Sequence, residues 1–211
     1  KGLPAVGPDY TLADVTELLD NFRPCGYHEP IRVDEGLVVS FSDCGHLMGS
    51  AAVQLWLTED GVTKKIVFSG DVGNINQPIL NDPQLISEAD YVVVESTYGD
   101  RLHENRVDPT PAMVDVIQRT LDRGGNVIIP SFAVGRTQEL LYFMREIKDA
   151  GLVKSNPDFP VYIDSPLAKK ATTIFVGDLR GYLDEEALEL VQDGTHMFNF
   201  TNLRMTETSE E

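Results

Sequence analysis

The chain has 211 residues, with 17 lysines and arginines against 34 aspartates and glutamates, for a formal net charge of −17 at pH 7. Its length and 42% hydrophobic content suit one large or two small globular domains with a real core, and its acidity excludes a protein that coats nucleic acid through a general basic surface, though not one that meets phosphate at a local site. No apolar run approaches the roughly 18 residues of a membrane span, no signal-peptide pattern occurs, and two cysteines, Cys25 and Cys44, are too few for a disulfide framework, so a cytoplasmic protein with no membrane partner is expected.

Residues 11–22 place Leu12, Val15, Leu18, Leu19 and Phe22 at helical spacing, an amphipathic helix that Pro24 would stop. The period then changes to two. Residues 37–42, 53–58 and 65–69 read as a strand followed by a hairpin that turns at Glu59-Asp60-Gly61. Residues 90–95, Asp-Tyr-Val-Val-Val-Glu, form a continuous apolar run, as expected of a strand covered on both faces. From residue 106 strands and helices alternate. Thr110 and Pro111 would cap and open a helix that Gly124-Gly125 closes. A strand at 126–130, a helix at 137–148 with Leu140, Leu141, Met144 and Ile147 inward, a strand at 161–164, a helix at 166–176 and a short helix at 184–192 follow. This alternation predicts a parallel sheet with right-handed crossovers. Residues 206–211 carry no folding signal. Residues 1–100 hold 5 basic and 16 acidic residues, 101–180 hold 11 and 10, and 181–211 hold 1 and 8, a composition break that puts a first boundary near residue 100.

The hairpin allows a geometric argument. With its turn near Asp60, residue 51 lies opposite residue 70, so His46, before the first strand, and Asp71, after the second, emerge at the same sheet end. Each sits among glycines that let a loop turn sharply. If 91–95 runs parallel to 65–69, Glu95 arrives there too. One imidazole and two carboxylates on one rim suit zinc or a hydrated acid/base site. Taken alone, a His near a strand end and an Asp after Gly also suit plain hydrogen-bonding and turn roles.

Four ordered segments add specificity: Asp43-Cys44-Gly45-His46-Leu47-Met48-Gly49-Ser50-Ala51, Phe68-Ser69-Gly70-Asp71, Val94-Glu95-Ser96-Thr97-Tyr98-Gly99-Asp100-Arg101, and the stretch from Pro130-Ser131-Phe132-Ala133-Val134-Gly135-Arg136 to Leu141. With Asp164-Ser165-Pro166-Leu167-Ala168, the sequence resembles the metallo-β-lactamase-fold nucleases that carry a β-CASP domain, on their RNA-processing branch. The resemblance implies an α/β fold: part of a metallo-β-lactamase αββα sandwich over 1–105, then an incomplete β-CASP-type parallel α/β domain over 106–211. It implies that His46 and Asp71 are metal ligands, Asp71 bridging two Zn²⁺ ions, and that Glu95 supports the catalytic network. The implied reaction is metal-assisted hydrolysis of an RNA phosphodiester, in which zinc activates water and polarises the phosphate.

The departures are informative as well. The family's His-x-His-x-Asp-His motif does not occur, and His196 does not match the family's later histidine motifs. With two matched ligands, the sequence reads as an interior fragment that cannot assemble the dinuclear centre alone and is expected to be metal-poor and inactive by itself. His103 resembles a recurrent family position near the site or is a surface loop histidine. Arg136, at a helix start, would meet phosphate or form an interdomain salt bridge. Cys44 suits a buried small residue better than a reactive thiol, and Ser165 lacks a nucleophile elbow. Expected partners are an RNA substrate and, as an open option, a second copy of the chain. Two alternative functions are a metallo-hydrolase of a small ester or thioester and a non-catalytic RNA- or partner-binding scaffold.

Overall fold

A computed structural model describes residues 7–102, 108–177 and 181–206. Helix α1 (Leu12–Leu19) opens with Thr11 and Asp14, whose side chains cap each other's backbone N–H groups. It ends at Leu19, short of the expected Phe22, and none of its residues is buried: Leu12, Leu18 and Leu19 all face solvent. Of the apolar stripe only Val15 is half-buried.

A five-stranded sheet follows, in the order β1 (Ile31–Asp34), β2 (Leu37–Asp43), β3 (Ala51–Glu59), β4 (Val62–Phe68), β5 (Tyr91–Val93). The pairs from β1 to β4 are antiparallel, and β4 and β5 are parallel. Val53 stands opposite Phe68 and Glu59 opposite Val62, the register expected for a turn at Asp60 and Gly61, which have φ of 49° and 76°. β1 was not anticipated from the sequence. β5 departs from expectation in a second way, because Tyr91, Val92 and Val93 are all exposed. It is the last strand of the sheet, and no described element lies over either face.

The chain then builds α2 (Thr110–Asp122), α3 (Arg136–Asp149), β6 (Val161–Ile163), α4 (Pro166–Phe175), α5 (Glu185–Gln192) and β7 (Leu203–Met205). The N-cap of α2 is Pro109 rather than Thr110, with the Asp108 carboxylate accepting the Thr110 N–H. The strand expected at 126–130 does not form: these residues pair with no strand among the described residues, and Ile128 is exposed. The parallel sheet of this half is instead a two-stranded pair of β6 with β7, with Val161 opposite Leu203. α4 and α5 are capped by the side chains of Ser165 and Asp184.

Two apolar clusters form the core. One packs Leu141 and Tyr142 of α3, Phe175 of α4, Ala187 of α5 and Phe198 against Ile79, and the other packs Ile117 of α2 against Met144, Ile147, Val153 and Phe159. Ile79 belongs to the long segment between β4 and β5. There Leu80 forms a β-bridge with Leu183, and the Asp184 N–H donates to the Ile79 carbonyl. The sheet and the helices are thereby joined beside the end of β4. No described helix is long and apolar enough to cross a membrane.

Candidate metal-binding rim

The residues after β2 turn back on themselves before β3 begins. Ser50 Oγ accepts from the N–H groups of His46 (3.2 Å) and Leu47 (3.0 Å), and the Ser50 N–H donates to the Leu47 carbonyl. Tyr27 Oη holds the Ser50 carbonyl at 2.8 Å. Gly45 has φ of 63° and donates to the buried Asp43 carboxylate, whose pKa is raised by burial and partly restored by that bond. The Cys44 thiol is buried 3.2 Å from both Ser50 Oγ and the Asp71 carbonyl. A small group between two loops, as expected, it links the His46 loop to the Asp71 loop.

The second loop leaves β4 at Ser69. Gly73 donates to the Cys44 carbonyl, and a Cβ at Gly73 would lie 1.9 Å from the Gly45 carbonyl oxygen. Only glycine allows the two loops to approach this closely. Asp71 is thereby set beside His46: Nε2 and Oδ2 are 3.8 Å apart, with both side chains substantially exposed.

Glu95 follows β5 and reaches the same rim. Its N–H donates to Ser69 Oγ at 3.1 Å, and its Oε1 accepts the Val72 N–H at 2.8 Å. Its pKa is held below the usual carboxylate range, first by the Thr97 hydroxyl, then by the Val72 N–H, with the His46 imidazole adding a smaller effect. Glu95 is thus an ionised clamp on the loop that carries Asp71.

The structure brings His46, Asp71 and Glu95 to one sheet end. An imidazole and a carboxylate 3.8 Å apart suit an ion whose donors lie at about 2.0–2.2 Å, so the pair fits a zinc ion as a partial ligand set. Among the described residues no group of three or more His, Cys, Asp or Glu is arranged to hold a metal. His103 lies outside the described residues. Arg136 begins α3, and its guanidinium pairs with Glu139 on its own helix rather than across a domain boundary. The N-terminus of α3 nevertheless abuts the rim: at Gly135, with φ of 82°, a Cβ would meet Leu47 Cδ2 at 2.4 Å. Fully buried Gln138 braces this approach by accepting from the Gly135 N–H and donating to Ala133 O and Thr172 Oγ1. Arg136 opens on a cleft shared with Asp82, Asp108, Glu146 and Glu186. Ser165 spends its hydroxyl on the Ala168 N–H.

The structural roles of Asp43, Ser50 and Gln138 do not follow from the motifs that contain them. Only Ser50 carried a local signal, a hydroxyl three residues after a loop amide. The roles of Asp43 and Gln138 come from burial.

Residues 137–211 match the Beta-Casp domain. Ribonuclease TTHA0252 of Thermus thermophilus is 35% identical over 207 residues, which cover 98% of this chain and 44% of that protein. An RNase J-like protein of Methanocaldococcus jannaschii is 30% identical over 90% of this chain and 44% of its own length. The Endoribonuclease YSH1 of Eremothecium gossypii is 28% identical over 96% of this chain and 26% of its own length. The chain thus spans less than half the length of these relatives. The ordered motifs, the rim they build and these likenesses together show that residues 137–211 carry a Beta-Casp domain and that the chain as a whole is similar to proteins named as ribonucleases.

Proposed function

We propose that this protein is a metal-dependent hydrolase of RNA phosphodiesters, with His46 and Asp71 as ligands of zinc. The observation that carries this reading is the convergence of His46, Asp71 and Glu95 on one rim, in a chain similar to proteins named as ribonucleases. Those names favour RNA over a small ester, and they favour an enzyme over a scaffold. Zinc held there would polarise the scissile phosphate and activate water for attack.

The chain's own residues have separable tasks in this reading. Glu95, ionised and bonded to the Val72 N–H, fixes the loop that presents Asp71. Ser50 fixes the backbone that presents His46. Arg136 binds a substrate phosphate by exchanging its Glu139 partner for it. His103 serves as an accessory acid/base. Residues 1–105 supply the metallo-β-lactamase part and 106–211 the β-CASP part, with the strand held between them. A cytoplasmic location belongs to the same reading, and a homodimer is a question for size-exclusion chromatography.

The test uses the full-length protein, with bound zinc and cleavage of a labelled single-stranded RNA as readouts. His46→Ala and Asp71→Ala are each expected to lower bound zinc and abolish cleavage. Glu95→Gln is expected to cost about 10–100-fold in metal affinity or rate, as for other groups that orient a ligand. Full cleavage by either alanine variant overturns the assignment.

A further inference from the structure

We infer that Tyr98 and Arg101 form a stacking platform for an unpaired base of single-stranded RNA at the rim that carries His46 and Asp71. The inference rests on the nuclease reading above and says where the strand is held.

The platform is built by the loop that starts at Glu95. The Gly99 N–H donates to the Ser96 carbonyl at 3.2 Å and the Arg101 N–H to the Tyr98 carbonyl at 3.3 Å, so two overlapping turns set the positions of both side chains. The turn is tight: a Cβ at Gly99 would sit 2.5 Å from Ser96 Oγ. The Arg101 guanidinium carbon lies 4.8 Å from the Tyr98 ring centroid, within cation–π range. Tyr98 is 49% exposed even so, and Arg101 is exposed beside it. The loop is anchored to the rim through Glu95, which bonds to Ser69 Oγ and the Val72 N–H on either side of Asp71.

Charge points the same way. The chain carries −17, and residues 1–100 hold only 5 basic residues, so a cation beside the rim is uncommon. Arg101 makes no ion pair with a described residue, whereas Arg136 is tied to Glu139. A guanidinium resting on a ring keeps its charge for a phosphate and offers a flat face to a base. Aromatic and guanidinium planes accept any base in an unpaired strand, and a duplex offers them no free base face.

Binding by the full-length protein is measured in chelator, so that no strand is cut, with RNA carrying 2-aminopurine as the fluorescent base. Wild type is expected to bind and quench the single strand. Tyr98→Ala is expected to lose the quenching and weaken binding roughly tenfold, the loss of one stacked base. Tyr98→Phe should retain both, which separates stacking from any role of the hydroxyl in folding. Arg101→Ala should weaken single-strand binding more than Arg101→Lys. A duplex of the same sequence should bind wild type and Tyr98→Ala alike. Unchanged quenching in Tyr98→Ala, or equal losses on single strand and duplex, overturns the platform while leaving the nuclease reading intact. A wild-type protein that neither binds nor cuts RNA overturns both.

Discussion

Two glycines decide whether His46 and Asp71 meet. Gly45 and Gly73 bring the two loop backbones together, and a methyl group at Gly73 would lie 1.9 Å from the Gly45 carbonyl oxygen, an atom of the backbone that cannot swing aside. Gly73→Ala is therefore expected to separate the loops, at a cost of about 3 kcal/mol in urea unfolding, and to weaken metal binding as well. A Gly73→Ala protein with unchanged midpoint and metal affinity would contradict this account. The convergence of His46 and Asp71 was legible in the sequence because a hairpin register is set by its own turn and both strand ends can be counted from Asp60, and Glu95 joins them through the parallel pairing of β5 with β4. Asp43 and Gln138 were not legible. Their importance comes from what surrounds them, and burial of a polar side chain leaves no trace in spacing.

At the scale of elements, the helices, the hairpin register and the parallel β5 follow expectation, and the strand pairing of the second half does not. Periodicity and caps are local, so α2 to α5 appear within a few residues of expectation. The residues at 126–130 have the composition of a strand but no described neighbour to pair with, while β6 pairs with β7, some forty residues further on. α5 carries a testable pH effect. Its N-cap, Asp184, accepts the Ala187 N–H at 2.7 Å, yet burial raises its pKa above the ordinary aspartate value of 3.8, with Glu186 and Asp82 adding to the rise. A carboxyl with a raised folded-state pKa binds more protons folded than unfolded, so its contribution falls as pH rises from 3.8 through the folded value. Asp184→Asn keeps the cap and removes the charge. It should match or exceed the wild-type Tm at neutral pH and flatten the Tm profile across that window. Asp184→Ala should lose about 1 kcal/mol at neutral pH. A steeper pH profile in the Asn variant would contradict the sign.

At the scale of the whole molecule, the rim depends on how the sheet meets the helices. The joint is the Leu80–Leu183 bridge and the buried side chain of Ile79, a β-branched residue at φ of 80° held there by the surrounding apolar cluster. Leu183 is also buried in that cluster. Leu183→Ala is expected to cost about 2–5 kcal/mol, seen as a shift in the unfolding midpoint. It should also loosen the approach of Gly135 to Leu47, which hydrogen exchange at residues 45–50 would detect. No change in exchange there would show that the rim is independent of the joint. The likeness to β-CASP proteins, the helices, the hairpin and the convergence of His46 with Asp71 were determined by the sequence itself, because periodicity, turn residues and motif order are local properties of a chain. The exposure of β5, the pairing of β6 with β7 and the bracing by Gln138 were decided only by the tertiary structure. Each of these depends on which surfaces are buried once the chain has closed on itself, and burial is a property of the assembled molecule rather than of any one segment.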